Sequence, residues 1–103
     1  MNLFQQAFGN TPATDLRSLI NDGAFLVDVR TPGEFAEGNV KGSVNIPLDT
    51  IASQLQQFNG HKNIIVFCRS GARSTQARAI LAGNGITNVI NGGSWDYIDS
   101  LLT

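Results

Sequence analysis

The stretch NIIVFCRSGARSTQARAI, residues 63–80, decides the fold and contains the only cysteine of the 103-residue chain. Its first part, NIIVFC at 63–68, is the most continuous apolar run in the sequence, which indicates a central strand covered on both faces. The residues after the arginines have helical spacing and end at two glycines. The pattern therefore predicts a strand, a short loop that begins after Cys68, and a helix.

The same alternation of strands and helices continues in both directions from this stretch. Further strand patterns occupy 24–30, 42–47 and 87–93, and helical patterns occupy 11–23 (with Thr11 as a cap), 31–38, 48–60 and 94–103. No linker, repeat or low-complexity segment interrupts them, so we expect a single domain over residues 1–103. The order predicts an α/β fold: a doubly wound, mainly parallel central sheet of about five short strands flanked by helices.

Composition excludes several classes of function. Seven basic and eight acidic residues give a formal net charge of −1, which predicts no general attraction to nucleic acid or to a membrane surface. The N-terminal residues lack a signal-peptide pattern, and no stretch approaches the roughly 20 apolar residues of a membrane span, so we expect a cytoplasmic protein. One cysteine and one histidine make a metal site of such ligands improbable, and we expect no cofactor.

The loop after the central strand has the composition of an anion cradle. Lowering the pKa of a thiol from about 8.5 to about 6 needs roughly 3.4 kcal/mol, and an exposed helix end supplies only about 0.3–1 kcal/mol. Small residues would let backbone N–H groups curl around the sulfur, and arginines would add charge-assisted donors. The loop that would do this consists of Arg69, Ser70, Gly71, Ala72 and Arg73.

The alternative to a reactive thiol is that Cys68 is an unreactive residue of the core. Free cysteine is among the most buried residue types, and an isolated cysteine at the end of an apolar strand is usually a small core residue. The two arginines and the small residues that follow favour a reactive thiol instead.

Three segments resemble those of a known family. CRSGARS at 68–74 resembles the active-site loop of rhodanese-type sulfurtransferases, and DVRTPGEFAEGNVKGSVNIPL at 28–48 resembles their upstream signature. NVINGGSW at 88–95 resembles their last strand and Gly-Gly turn. The resemblance spans roughly residues 11–99, with Asn39 where many relatives carry histidine.

The resemblance implies a reaction and roles for individual residues. Cys68 would accept sulfur as a persulfide, with residues 69–73 around it and with Arg69 and Arg73 contacting an anionic donor such as thiosulfate. Sulfur would then pass to a thiophilic acceptor, cyanide or a thiol. The remaining candidates, Asp28, Arg30 and Ser74, would support the loop, with a buried salt bridge such as Arg30 with Glu34.

Other functions stay open at this stage. A rhodanese-fold cysteine phosphatase or arsenate reductase would resemble Cys-x5-Arg, whereas this chain has the shorter Cys-x4-Arg spacing and Ser74 in place of the arginine. A non-catalytic module would often lack the cysteine. A sulfur carrier that is served by a protein desulfurase and delivers to a partner protein fits the sequence as well as a thiosulfate-using enzyme does.

Overall fold

The computed structural model describes residues 12–102, which form an α/β fold as predicted. The expected cap at Thr11 lies outside the described residues. The elements, in chain order, are α1 (Ala13–Asn21), β1 (Phe25–Asp28), α2 (Pro32–Glu37), β2 (Val44–Asn45), two 3₁₀ helices (Leu48–Ser53 and Leu55–Phe58), β3 (Ile64–Cys68), α3 (Ala72–Gly83), β4 (Val89–Ser94) and α4 (Trp95–Ser100).

The sheet of this fold is parallel and doubly wound. Its strand order is β2-β1-β3-β4, so four strands pair within residues 12–102 where about five were expected. The chain winds outward from β1 to β2, and then in the other direction from β3 to β4. Ligands of open α/β sheets bind at the carboxyl ends of the strands where the winding reverses. Here that point lies between the ends of β1 and β3, at Asp28 and Cys68.

The core lies in two layers, one on each face of the sheet. Successive side chains of a strand point to opposite faces, and all five residues of β3 are buried. Ile64, Val66 and Cys68 pack toward the α3 side, with Ala77 and Leu81 of that helix. The opposite layer consists of Leu16, Leu26, Val40, Ile65, Phe67, Ile98 and Leu101. Cys68 therefore packs into the core layer on the α3 side, and it is also the last residue of β3, at the carboxyl end of the sheet.

The segment 48–60 differs from the single α-helix that its spacing predicts. It forms two 3₁₀ helices, which are separated at Gln54 with φ of −127°. Thr50 and Ser53 donate their hydroxyls to carbonyls three residues earlier, at 3.1 and 2.7 Å, and such bonds compete with α-helical geometry. The apolar positions Ile51 and Phe58 are nevertheless buried, because 3₁₀ and α-helical turns place residues three and four apart on nearly the same face.

A bulge in β4 shapes the end of the sheet next to Cys68. Val66 pairs with Asn91 and Phe67 pairs with Gly93, so Gly92 is an extra residue. A Cβ on Gly92 would lie 2.8 Å from side-chain atoms of Ile65 and of Ile98. Only glycine fits there without repacking, which explains the first glycine of the Gly-Gly pair.

No helix within residues 12–102 has the length and apolar character needed to cross a bilayer.

Candidate active site

Cys68 ends β3 with its sulfur inside the loop that follows. The residue is 1% exposed, and its Sγ accepts a hydrogen bond from the Gly71 N–H at 3.0 Å. On the other side the thiol donates to the Ser74 hydroxyl oxygen, with a distance of 3.6 Å between Sγ and Oγ. The sulfur is thus surrounded by groups that can donate a hydrogen bond to a thiolate.

The surroundings of Cys68 act on its pKa in two directions. Burial raises the pKa, because it disfavours the charged thiolate. The backbone N–H and the hydroxyl of Ser74, followed by the backbone N–H groups of Ser70 and Gly71, lower it, and together they outweigh the burial. The net pKa of Cys68 is therefore lowered from its ordinary value, which is the direction required for a thiolate nucleophile.

The turn of the loop depends on Gly71. This residue is the N-cap of α3 and has φ of 99°, in the left-handed region that other residues rarely adopt. That conformation directs the Gly71 N–H back to the sulfur and starts the helix one residue later. Ser70 and Ala72, on either side of the glycine, are exposed.

Arg73 does not face the loop as a free cation. Its Nη1 and Nη2 bind the two carboxylate oxygens of Glu34 at 2.7 and 3.0 Å. Glu34 in turn accepts from the Thr31 N–H and hydroxyl in the capping box of α2. Chiefly because of the Arg73 side chain, the pKa of Glu34 is lowered to about 2, and Glu34 raises the pKa of Arg73.

Arg69 is the exposed cation of the loop, and among the described residues its side chain makes no hydrogen bond or ion pair. It lines a cleft of about 370 Å³ at the carboxyl end of the sheet. The other lining residues are Arg30, Glu34, Glu37, Gly38, Trp95 and Asp96. Within residues 12–102, this cleft therefore offers an anion one unpaired guanidinium, on the residue that follows Cys68 in the chain.

Asp28 and Arg30 form the buried ion pair of the site, and this corrects the predicted pairing of Arg30 with Glu34. The Arg30 Nη2 and Nε lie 2.7 and 2.9 Å from Asp28 Oδ2, and both residues are at most 4% exposed. Residues two apart in an extended segment share a face, which brings the two side chains together. Arg30 reaches only the backbone carbonyl of Glu34, at 3.3 Å, and also donates to that of Gly38, at 2.7 Å.

Trp95 covers this ion pair from the side of α4. The centroid of its ring lies 4.5 Å from the Arg30 guanidinium carbon, which makes this a cation–π contact. A Cβ on Gly38 would approach the same ring to 3.2 Å, so glycine leaves room for it. Arg30 therefore joins β1, the end of α2 and the start of α4 beneath the cleft.

Ser74 is held by a residue of β4 that the sequence did not single out. Its hydroxyl lies 2.7 Å from Asn91 Oδ1 and 3.0 Å from the Gly71 carbonyl oxygen. Asn91 also donates to Thr75 Oγ1 at 2.8 Å and accepts from the Gly93 N–H at 3.0 Å. Asparagine is unusual inside a strand, and that is the one sequence signal that could have indicated a special role.

Residues 12–102 contain no group of three or more His, Cys, Asp or Glu side chains that could hold a metal ion. His61, predicted to lie away from the site, precedes β3 at the other end of the sheet and stacks on Phe25 with ring centroids 3.9 Å apart.

Comparison with protein families decides the relationship of this chain. The protein-family model that is described as the rhodanese-like domain matches residues 12–97 of the chain. The chain belongs to the rhodanese-like family. The resemblance predicted from the loop, the upstream signature and the Gly-Gly turn is therefore confirmed.

Individual rhodanese-like relatives agree with this assignment. A sulfurtransferase of Allochromatium vinosum is 36% identical over 70 residues, which cover 68% of this chain and 65% of that protein. The thiosulfate sulfurtransferase GlpE of Pseudomonas syringae pv. syringae is 33% identical over 88 residues, covering 84% of this chain and 83% of the relative. For four curated relatives, the match spans 54% to 66% of their length.

A solved rhodanese-like structure matches almost completely in length. The human single-domain sulfurtransferase TSTD1 superposes with a TM-score of 0.74 at 29% identity, over 92% of this chain and 96% of that one. The predicted α/β architecture of the family is thus matched over most of the described residues.

Proposed function

We propose that this rhodanese-like domain is a sulfurtransferase that moves sulfane sulfur from an anionic donor, such as thiosulfate, to a thiophilic acceptor through a persulfide on Cys68. The observation that supports it most directly is the sulfur of Cys68, which accepts the Gly71 N–H at 3.0 Å inside a loop that lowers the thiol pKa. The names of the two sulfurtransferase relatives point to the same chemistry.

The reaction divides into two nucleophilic steps. The Cys68 thiol first loses its proton to solvent, and the thiolate attacks the outer sulfur of thiosulfate. A new S–S bond forms on Cys68 while the original S–S bond breaks, and sulfite leaves with the electron pair. In the second step the acceptor, for example cyanide, attacks the outer sulfur of the persulfide. Thiocyanate leaves, and the Cys68 thiolate is regenerated without any external oxidant or reductant.

The residues of the loop would share the negative charge that moves through these steps. Backbone N–H groups of residues 69–73 would surround the outer sulfur of the persulfide, which extends the bond that the Gly71 N–H already donates to the thiol sulfur. Arg69, which is exposed in the cleft, is the cation placed to meet an incoming dianion. Arg73 would stay paired with Glu34, where it adds positive electrostatic potential near the loop and holds the loop against α2.

A phosphatase or arsenate reductase has weaker support. Such enzymes close an oxyanion loop with an arginine whose guanidinium faces the anion, and Arg73 instead directs both terminal nitrogens to Glu34. A carrier role with a protein donor or acceptor uses the same persulfide and is compatible with this site. Four expectations stay predictions: the small anionic donor, the thiophilic acceptor, the single domain over residues 1–103 and the cytoplasmic location.

Thiocyanate production from thiosulfate and cyanide tests the proposed function. The wild type should release thiocyanate, and Cys68→Ser, which keeps the size of the side chain, should release none above background. Initial rates at varied concentrations of both substrates should give the parallel lines of a double-displacement reaction. Hydrolysis of a phosphoester through Cys68, without thiocyanate release, would overturn the proposal in favour of a phosphatase.

A further inference from the structure

Asn91 occupies a buried position between the sheet and the helix that carries the loop. It lies on β4, 4% exposed, just before the bulge at Gly92. Its carboxamide contacts two side chains of α3, Ser74 and Thr75, and the backbone N–H of Gly93. Asn91 lies within the NVINGGSW segment at 88–95, but no role in the site was predicted for it. It is nevertheless only one hydroxyl group away from the sulfur of Cys68.

That hydroxyl, on Ser74, has a single proton and several acceptors in reach. Asn91 Oδ1 is the nearest at 2.7 Å, the Gly71 carbonyl oxygen lies at 3.0 Å, and Cys68 Sγ lies at 3.6 Å. When the proton points to Asn91, a lone pair of Ser74 Oγ is left to face the sulfur. A lone pair accepts from a neutral S–H, whereas a thiolate needs a donated O–H.

Ionisation of Cys68 therefore competes with the bond between Ser74 and Asn91. For the Ser74 hydroxyl to stabilise the thiolate, it must turn away from Asn91 Oδ1 and give up its shortest contact. We propose that Asn91 is a positioning residue that makes Cys68 harder to ionise, by holding the Ser74 proton away from the sulfur.

The consequence for sulfur transfer rests on the proposed function. A thiol of higher pKa is a stronger nucleophile per thiolate and a poorer leaving group. By opposing the backbone N–H groups of the loop, Asn91 would favour attack on the donor at the expense of persulfide discharge.

Charged groups near the sulfur do not duplicate this effect. Asp28 is paired with Arg30 at the end of β1, and Glu34 of α2 is paired with Arg73 of α3. The charges that remain at the cleft are Arg69, Glu37 and Asp96, and these are exposed. Asn91 approaches from β4, on the side of α3, where its carboxamide adds a dipole and no net charge. Arg78 of α3 lines a groove together with Asn91 and donates its Nε to the Val89 carbonyl oxygen at 3.1 Å.

The ultraviolet absorbance of the thiolate, titrated against pH, tests the proposal. Cys68 is the only cysteine, so Cys68→Ser supplies the baseline. Asn91→Leu keeps a similar volume but removes the acceptor. Leucine is preferred to alanine because Asn91 lines a groove of about 460 Å³, from which water could replace a shorter side chain. The pH at the midpoint of the titration should fall by about half a pH unit to one pH unit, which corresponds to the free energy of one hydrogen bond.

A second variant carries the test if Asn91→Leu does not fold. Asn91→Asp keeps the shape and the acceptor and adds a negative charge, so it should raise the midpoint. Asn88→Leu is the matched control, since it makes the same replacement just before β4 and removes bonds to the carbonyls of His61 and Lys62. It should leave the midpoint where it is in the wild type.

A double-mutant cycle with Ser74→Ala shows whether Asn91 acts through Ser74. In that background Asn91→Leu should no longer move the midpoint. The proposal is overturned if Asn91→Leu leaves the midpoint unchanged or raises it, if its effect persists without the Ser74 hydroxyl, or if Asn91→Asp lowers it. The titration uses no sulfur donor, so a failure of the proposed sulfur transfer would not affect its outcome.

Discussion

The Arg73 guanidinium binds both carboxylate oxygens of Glu34, at 2.7 and 3.0 Å, and thereby joins the first turn of α3 to the first turn of α2. Arg73 is the last residue of the loop after Cys68, and Glu34 belongs to the capping box that starts α2 with Thr31. The pair therefore connects the two segments on either side of the cleft, and it places a negative charge next to one of the two arginines expected to attract the donor.

The Glu34–Arg73 pair predicts a dependence of stability on pH. Glu34 has an ordinary pKa of 4.5 and a folded-state pKa of about 2, so the pair stabilises the fold above pH 4.5 and loses this contribution as pH falls from 4.5 to 2. The thermal unfolding midpoint of the wild type should exceed that of Glu34→Gln above pH 4.5, and the two should converge near pH 2. Glu37→Gln, an exposed position on the same helix, is the control. A gap that stays constant down to pH 2 would contradict this account.

Arg69 and Arg73 should differ in what they contribute. Arg69→Ala should raise the KM for thiosulfate about fivefold with little change in thermal stability, because a solvent-exposed charge contact contributes about 1 kcal/mol. Higher salt should reduce the difference. Arg73→Ala should weaken use of the donor and also lower stability, since Glu34 loses its partner. Arg17→Ala, exposed on α1, is the control for a lost charge. An unchanged KM in Arg69→Ala would remove Arg69 from donor binding.

The buried pair at the base of the cleft predicts a large loss of stability. Asp28→Asn leaves the 4% exposed Arg30 without its counter-charge, and breaking such a pair costs about 3 kcal/mol or more. Denaturant unfolding measures this loss. Asp22→Asn makes the same replacement in the exposed pair with Lys62, where N and O lie 3.4 Å apart, and should cost less than about 1 kcal/mol. Equal losses of unfolding free energy in the two variants would show that burial does not increase the contribution of the Asp28–Arg30 pair to stability.

Ser74 should shift the ionisation of Cys68 in the opposite direction to Asn91. Its hydroxyl can donate to the thiolate only when it turns away from Asn91 Oδ1, so Ser74→Ala should raise the midpoint of the thiolate titration more in the Asn91→Leu background than in the wild type. Ser53→Ala, which removes an exposed hydroxyl bonded to the Thr50 carbonyl oxygen, is the control. An effect of Ser74→Ala that is equal in the two backgrounds would contradict the competition between Asn91 and Cys68 for the Ser74 proton.

Local patterns predicted the centre of this fold well. The apolar run before Cys68 is buried throughout as β3, and Gly71 turns the chain into α3 as the small residues indicated. The segment 48–60 was harder, because Ile51 and Phe58 satisfy both a helical and a 3₁₀ pattern, and the hydroxyl bonds of Thr50 and Ser53 compete with α-helical geometry.

Pairing between side chains was predicted less well than secondary structure. Arg30 was expected to form a buried salt bridge with Glu34, although Asp28, two residues away in an extended segment, is the partner that strand geometry favours. Asn91 and Ser74 are 17 residues apart, and their contact depends on how β4 bulges beside α3. A contact of that kind follows from tertiary packing and has no local sequence pattern.

The most direct test of the central claim is the intact mass of the protein after incubation with thiosulfate and removal of excess donor. The account predicts a gain of one sulfur atom on the wild type, no gain on Cys68→Ser, and loss of the added sulfur on treatment with cyanide. A wild-type mass that stays unchanged, or a sulfur gain of equal size on Cys68→Ser, would contradict the persulfide on Cys68.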